Sequence, residues 1–280
     1  MVERAYSLEL SETISALEAQ KYSLEGRLNS EKQFRCIDNN CEIPLTCTNW
    51  KRRGGKRFYF KPSHNDELHV EGCTCISPQE FKEQVNKEVL GAKGTISDSG
   101  IISVKKSLSK AKVNGKKSVA SLDTTEHSIT FSRTNIYRKQ VHDRQLSAVA
   151  TFVELYKDPQ IDKSLKNIRI ENELLSLDEY FVDIKKPLVK DKQKIFYGLA
   201  QVSIASFNKK ILQIQFISSN YPNIYSSLEQ IQKRSNTRNI ADLIDKEPKY
   251  IYFRGKLDSQ DNKFKSFNDK FYKDLYTPKD

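Results

Sequence analysis

Phe34-Arg-Cys36-Ile-Asp-Asn-Asn-Cys41, followed downstream by His69-Val-Glu-Gly-Cys73, decides how the first part of the chain folds. The two cysteines form a knuckle, and a histidine–cysteine pair roughly thirty residues later closes it, the two-part layout of a tetrahedral site built from thiolate and imidazole. All five cysteines fall between positions 36 and 75. In a reducing compartment such clustering means metal ligands more often than disulfides. The expected ligands are Cys36, Cys41, His69 and Cys73, around a zinc ion. His64 is an alternative to His69, Cys75 is an alternative to Cys73, and Cys47 is a further candidate. His69 is preferred because three intervening residues place it and Cys73 one turn apart on the same side of a helix or tight turn. Four filled positions leave none open for water, so the zinc is expected to be structural.

Around this site the chain alternates apolar and polar residues from Tyr6, which predicts a strand pair before the knuckle. Short strands are expected at Lys32–Cys36 and Lys56–Phe60. Between the knuckle and the histidines lies a basic stretch with aromatics, comprising Trp50, Lys51, Arg52, Arg53, Lys56, Arg57, Tyr59 and Lys61. Its glycines suit a loop tip, its cations can neutralise phosphates, and Trp50 or Tyr59 can stack on a base.

The run from Phe34 through the Cys36–Cys41 knuckle to Leu45, then Arg57-Phe-Tyr-Phe60, then His69-x3-Cys73, resembles the N-terminal zinc module of competence CoiA-like proteins over roughly residues 1–80. The knuckle spacing is four, where that family has two, and a terminal cysteine is added. The resemblance implies a setting in prokaryotic DNA handling or anti-phage defence, and a nuclease-like domain after the zinc module.

Ser77-Pro78-Gln79-Glu80 is a helix start: a serine cap, proline in the first turn and glutamate three residues on. Phe81, Val85 and Leu90 are expected to form the apolar stripe, with Gly91 ending the helix. From residue 91 to 144 there are eleven Lys or Arg against four Asp or Glu, and large apolar residues are sparse. Such a stretch buries too little apolar surface to offset its ordering entropy, so residues 91–140 are expected to be a flexible basic linker.

Beyond Asp143, Leu146, Val149, Ala150, Val153 and Tyr156 mark an amphipathic helix. Strands are expected at 180–184, 194–205, 211–217 and 250–257, with Ser206–Lys210 as a hairpin loop, a helix over 228–244, and a helical tail carrying Phe264, Phe267, Phe271 and Leu275. These elements suggest an α+β domain with an OB-like barrel. The domain organisation expected is 1–90, a zinc-binding module; 91–140, linker; and 141–280, the OB-like domain. On the last long strand Tyr250, Tyr252, Arg254 and Lys256 share one face, an aromatic and cationic surface of the kind single-strand binding uses.

The 280 residues are 37% hydrophobic and 30% charged, with a net charge of +11, which favours a polyanionic partner. No apolar run is long enough to span a bilayer, and the first residues lack a signal-peptide pattern, so a cytoplasmic protein without membrane contact is expected. P-loop, dinucleotide and HExxH motifs are absent. A restriction-type nuclease would need an acidic-x-Lys triplet, and Asp183-Ile-Lys185 is the candidate on a strand, with Asp162 or Asp178 upstream. The sequence therefore favours a nonenzymatic nucleic-acid-binding protein. A metal-dependent nuclease using Asp183 and Lys185 is the first alternative, and an adaptor for a protein partner the second.

Overall fold

The computed structural model describes residues 2–38, 41, 43–54, 57–64, 69, 73–106, 143–217 and 220–278. Lys56 and most of the expected linker lie outside them. The chain is mixed α+β, and its described residues form three sheets and three apolar cores.

The first sheet holds β1 (Arg4–Ser7), β2 (Glu12–Ser15), β3 (Phe34–Arg35), β4 (Pro44–Cys47) and β5 (Phe60–Pro62), in the order β2-β1-β3-β4-β5 and antiparallel throughout. The expected strand pair before the knuckle is the β1–β2 hairpin. Ala5, Ile14, Phe34, Leu45 and Phe60 are buried in one core, because alternate residues of a strand reach the same face. Helix α1 (Ala16–Leu24) follows β2 directly, with Ser15 and Glu18 closing a capping box.

Helix α2 (Pro78–Ser97) starts where the sequence places it. The Ser77 hydroxyl accepts the Glu80 N–H at 3.2 Å, and the Ser77 N–H donates to the Glu80 carboxylate at 3.0 Å. Ser77→Ala should lower stability by about 1 kcal/mol in urea unfolding. The helix does not end at Gly91 but runs two further turns, past the close approach of the Arg144 guanidinium to Gly91. Its buried face is Phe81, Gln84, Val85, Ala92 and Thr95, whereas Leu90 is 70% exposed. Five positions past Val85, Leu90 is turned well off that face. Phe81 and Val85 sit in the first core and Ala92 in the second, so the expected boundary at 90/91 falls inside a helix that joins two cores.

The second sheet contains β6 (Ile102–Val104), β7 (Arg144–Leu146), β8 (Lys166–Ile170) and β9 (Glu173–Ser176), ordered β7-β6-β8-β9. Strands β7 and β8 flank β6 in parallel, and α3 (Val149–Lys157) makes the crossover between them. The start of the expected linker is therefore ordered as helix and strand. The first five residues of α3, Val149 through Val153, are all buried, because the helix packs between α2 and the third sheet. The short helix α4 (Leu177–Tyr180) opens on a third capping box, Ser176 with Glu179.

The third sheet is seven-stranded and curls into a nearly closed barrel. It comprises β10 (Phe181–Asp183), β11 (Lys194–Ile204), β12 (Ile211–Phe216), β13 (Ile224–Ser227), β14 (Lys249–Leu257), β15 (Phe264–Ser266) and β16 (Leu275–Tyr276). The main path is β13-β12-β11-β14-β15; β10 adds to β11 in parallel, and β16 adds to β14. The β11–β12 hairpin forms with Ser206–Lys210 as its loop. Phe196, Val202, Leu212, Ile214, Ile251, Phe253 and Leu275 fill the interior.

Two helical expectations give way. The helix over 228–244 divides into α5 (Leu228–Lys233) and α6 (Arg238–Ala241), because the Thr237 hydroxyl donates to the Ile231 carbonyl at 3.1 Å and turns the chain. The tail is not helical: it forms β15, a 3-10 turn over Phe271–Lys273, and β16. There the Asp274 carboxylate accepts from the Asn268 backbone N–H at 2.6 Å and the Asn268 side chain at 2.8 Å, and Asp269 takes a positive φ of 64°. Local polar bonds of this kind compete with a helix.

Candidate metal centre

The four expected ligands come together. Cys36 follows β3, Cys41 closes a turn whose N–H donates to the Asp38 carbonyl at 2.8 Å, and His69 and Cys73 precede α2. All four are buried, and their ligand atoms lie within 4.8 Å of one another. Bond lengths of about 2.3 Å to sulfur and about 2.05 Å to nitrogen imply tetrahedral edges of about 3.8 Å between sulfurs and about 3.6 Å between sulfur and nitrogen. The Cys36 and Cys73 sulfurs are 3.6 Å apart, and the His69 Nδ1 is 3.3 Å from the sulfurs of both Cys41 and Cys73. The donor set therefore fits a metal ion. Among the described residues, no other group of three or more potential ligands gathers in this way.

The alternatives separate by position. His64 is exposed and outside the group. Cys47 belongs to the apolar core at the end of β4, where burial pushes its thiol up to about 12. Cys75 is half-buried beside the cluster, and its backbone N–H donates to the Cys73 sulfur at 3.3 Å. In the protein frame alone, the neighbouring Cys41 sulfur holds the Cys36 thiol up, and the Cys36 sulfur does the same to Cys73, with burial adding to both. A cation reverses that balance, since coordination deprotonates a thiol.

Two supporting residues escaped the sequence reading. The Gln84 side chain on α2 donates to the His69 carbonyl at 3.1 Å and to Glu88 at 3.3 Å, and Glu88 accepts the Thr151 hydroxyl of α3 at 2.6 Å. Asp38, within the knuckle, accepts the Thr74 N–H at 2.8 Å. Its carboxylate also lies 3.8 Å from Arg234 at the end of α5, both side chains being buried. A polar residue inside the knuckle was the available signal for Asp38; the role of Gln84 needed the packing of α2.

The basic stretch forms the loop of the β4–β5 hairpin. Thr48 and Tyr59 close its base, the Thr48 N–H and hydroxyl both donating to the Tyr59 carbonyl, at 2.9 and 2.8 Å. The loop is tied to α1: Gln20 donates to the Arg52 carbonyl at 3.0 Å, and the Lys51 N–H donates to the Ser23 hydroxyl at 3.2 Å. Lys51, Arg52, Arg53, Arg57 and Lys61 are exposed, and none is ion-paired with another described residue. Tyr59 is half-buried, and Trp50 packs edge-on to Phe34 with ring centres 6.1 Å apart.

The second expected surface is not a surface. Strand β14 is covered on both faces, by the barrel interior and by the core that contains α3. Tyr252 is buried against Tyr197 and Phe181. Arg254 is 0% exposed, donating to the Asp274 carboxylate at 2.8 Å and to the Ser147 carbonyl at 2.6 Å. Lys256 lies 3.8 Å from Asp191, and of this set Tyr250 alone is well exposed, at 52%. The four residues do alternate to one face of β14, but that face packs against another layer instead of meeting solvent.

Asp183 ends β10, where its carboxylate accepts the Lys185 backbone N–H at 2.9 Å, an ordinary turn. Asp162 is engaged in the same way by Ser164, and Asp178 sits in the first turn of α4. These carboxylates do not assemble with others into a group of three potential ligands among the described residues. No helix of the described residues is long and apolar enough to cross a membrane. Comparisons with protein-family models, curated proteins and solved structures return no match to the chain.

Proposed function

We propose that the chain is a nonenzymatic nucleic-acid-binding protein in which Cys36, Cys41, His69 and Cys73 hold a structural zinc ion. The observation that carries the binding role is the β4–β5 hairpin: Lys51, Arg52, Arg53 and Arg57 of its loop and Lys61 on β5 stand in solvent, unpaired with other described residues, beside Trp50. Exposed cations in a chain of net charge +11 suit a phosphate backbone. Three thiolates and one imidazole favour zinc over harder cations. Bound there, zinc supplies a cross-link between the knuckle and the segment leading into α2, with no position left for water. On this reading the curled third sheet is of the OB type, by likeness of architecture, and a setting in DNA handling follows from the resemblance of residues 1–80 to the CoiA-like module.

Fluorescence anisotropy with labelled single- and double-stranded DNA and RNA across a salt series tests the binding role. Affinity should fall steeply with salt, and Arg52→Ala/Arg53→Ala should weaken it and reduce the log–log salt slope by about 2. Absence of binding at low salt would overturn the proposal in favour of a protein-interaction adaptor.

A further inference from the structure

Between the knuckle and the open seam of the barrel lies a cleft of about 930 Å³, within the size range of ligand sites. Thr74 and Asp38 line it from the metal module; β13, α5 and the 3-10 turn line it from the barrel. Its cations are Lys233, Arg234 and Lys270, facing Asp38 and Asp269. Asp38 is engaged by Thr74 and by Arg234, and Lys233 also pairs with Glu229 on the neighbouring turn of α5; the lining itself carries three cations against two carboxylates. The Arg234 guanidinium lies 4.7 Å over the Tyr272 ring, which holds its flat face in place.

Two further observations point to a ligand. Ser226 lines the cleft, is buried, and its hydroxyl has no hydrogen-bond partner among the described residues, an arrangement that costs free energy unless something fills it. At the rim, Tyr225 is 40% exposed and meets Phe207 edge-on with ring centres 5.3 Å apart. Phe207 is 69% exposed at the tip of the β11–β12 hairpin, beside the exposed Lys209 and Lys210. An exposed aromatic pair leading from lysines into a cationic cleft combines the stacking platform and the backbone-tracking charge of single-strand binding.

We propose that this cleft and its aromatic rim bind a segment of single-stranded nucleic acid, with phosphate at Lys233, Arg234 and Lys270 and bases stacked on Tyr225 and Phe207. The inference rests on the nucleic-acid reading above and assigns it a second site, distinct from the basic loop. Tyr225→Ala/Phe207→Ser and Lys233→Glu/Lys270→Glu change solvent-facing side chains of the full-length protein. Each should weaken binding of a labelled single-stranded oligonucleotide about tenfold or more while leaving duplex binding nearly unchanged. Arg52→Ala/Arg53→Ala should weaken both ligands. Wild-type affinity in both cleft variants, with the loop variant impaired, would overturn the cleft and leave the nucleic-acid reading standing. Equal losses for single strand and duplex would overturn the single-strand assignment. A wild-type protein that binds neither ligand at low salt would overturn both readings.

Discussion

Cys73→Ser is expected to unfold the N-terminal module and to abolish stoichiometric zinc binding. The module is small, its sheet strands are two to four residues long, and its core gathers around the cluster itself, with Cys36, Cys41 and Cys73 among the buried residues. A structural zinc contributes roughly 10–16 kcal/mol to the folding of small zinc peptides, against a total stability of about 5–15 kcal/mol for a typical domain. A module that loses that contribution has little left to hold it. Trp50 is the only tryptophan and packs on Phe34 in this core, so its emission reports on the module alone. The variant should show a red-shifted Trp50 emission that added zinc does not reverse. Wild-type protein stripped by a chelator should show the same shift and recover with zinc. Cys75→Ser and Cys47→Ser should both keep one zinc per chain, although Cys47→Ser buries a hydroxyl and should lose some stability. Native-like emission in metal-free Cys73→Ser would contradict the structural role.

The second large effect lies at the opposite end of the chain. Arg254→Ala should destabilise the protein by about 3–5 kcal/mol, since removing one partner of a buried ion pair leaves an uncompensated charge. Arg254 and Asp274 are both fully buried, and the Arg254 guanidinium also reaches the Ser147 carbonyl between β7 and α3. The pair therefore joins the barrel to the second sheet as well as β14 to the tail. Asp274→Ala should cost at least as much, because its carboxylate also serves Ser266 and Asn268. Urea unfolding followed by far-UV circular dichroism measures both, and a change below about 1 kcal/mol would show that the network adds little. At concentrations where Arg254→Ala remains folded, its nucleic-acid affinity should match wild type, in contrast to the loop variants.

The metal cluster was legible because ligand spacing is a local property: a knuckle and a His-x3-Cys pair specify chemistry before any fold is known. The α2 cap was legible for the same reason. Capping boxes at Ser15–Glu18 and Ser176–Glu179 carry the identical spacing and were open to the same reading. The long strands β11, β12 and β14 declared themselves through β-branched and aromatic runs. What stayed hidden depends on which layer covers which. Tyr252 and Arg254 alternate as a solvent-facing pair would, yet α3 and the second core lie over them, and nothing in the local pattern of β14 announces that second layer. The tail shows the same limit: Phe264, Phe267, Phe271 and Leu275 have helical spacing, but Asp274 draws the backbone into a turn whose partners lie on β14. The cleft between knuckle and barrel draws on residues from 37 to 272 and has no linear signature.

X-ray absorption at the zinc edge of the purified full-length protein tests the centre of this structure most directly. The result expected is one zinc per chain with three sulfur neighbours at about 2.3 Å and one nitrogen neighbour at about 2.0 Å. A shell of four sulfurs would place Cys75 in the site instead of His69, and a shell of oxygens, or protein purified and folded without zinc, would contradict the assignment outright.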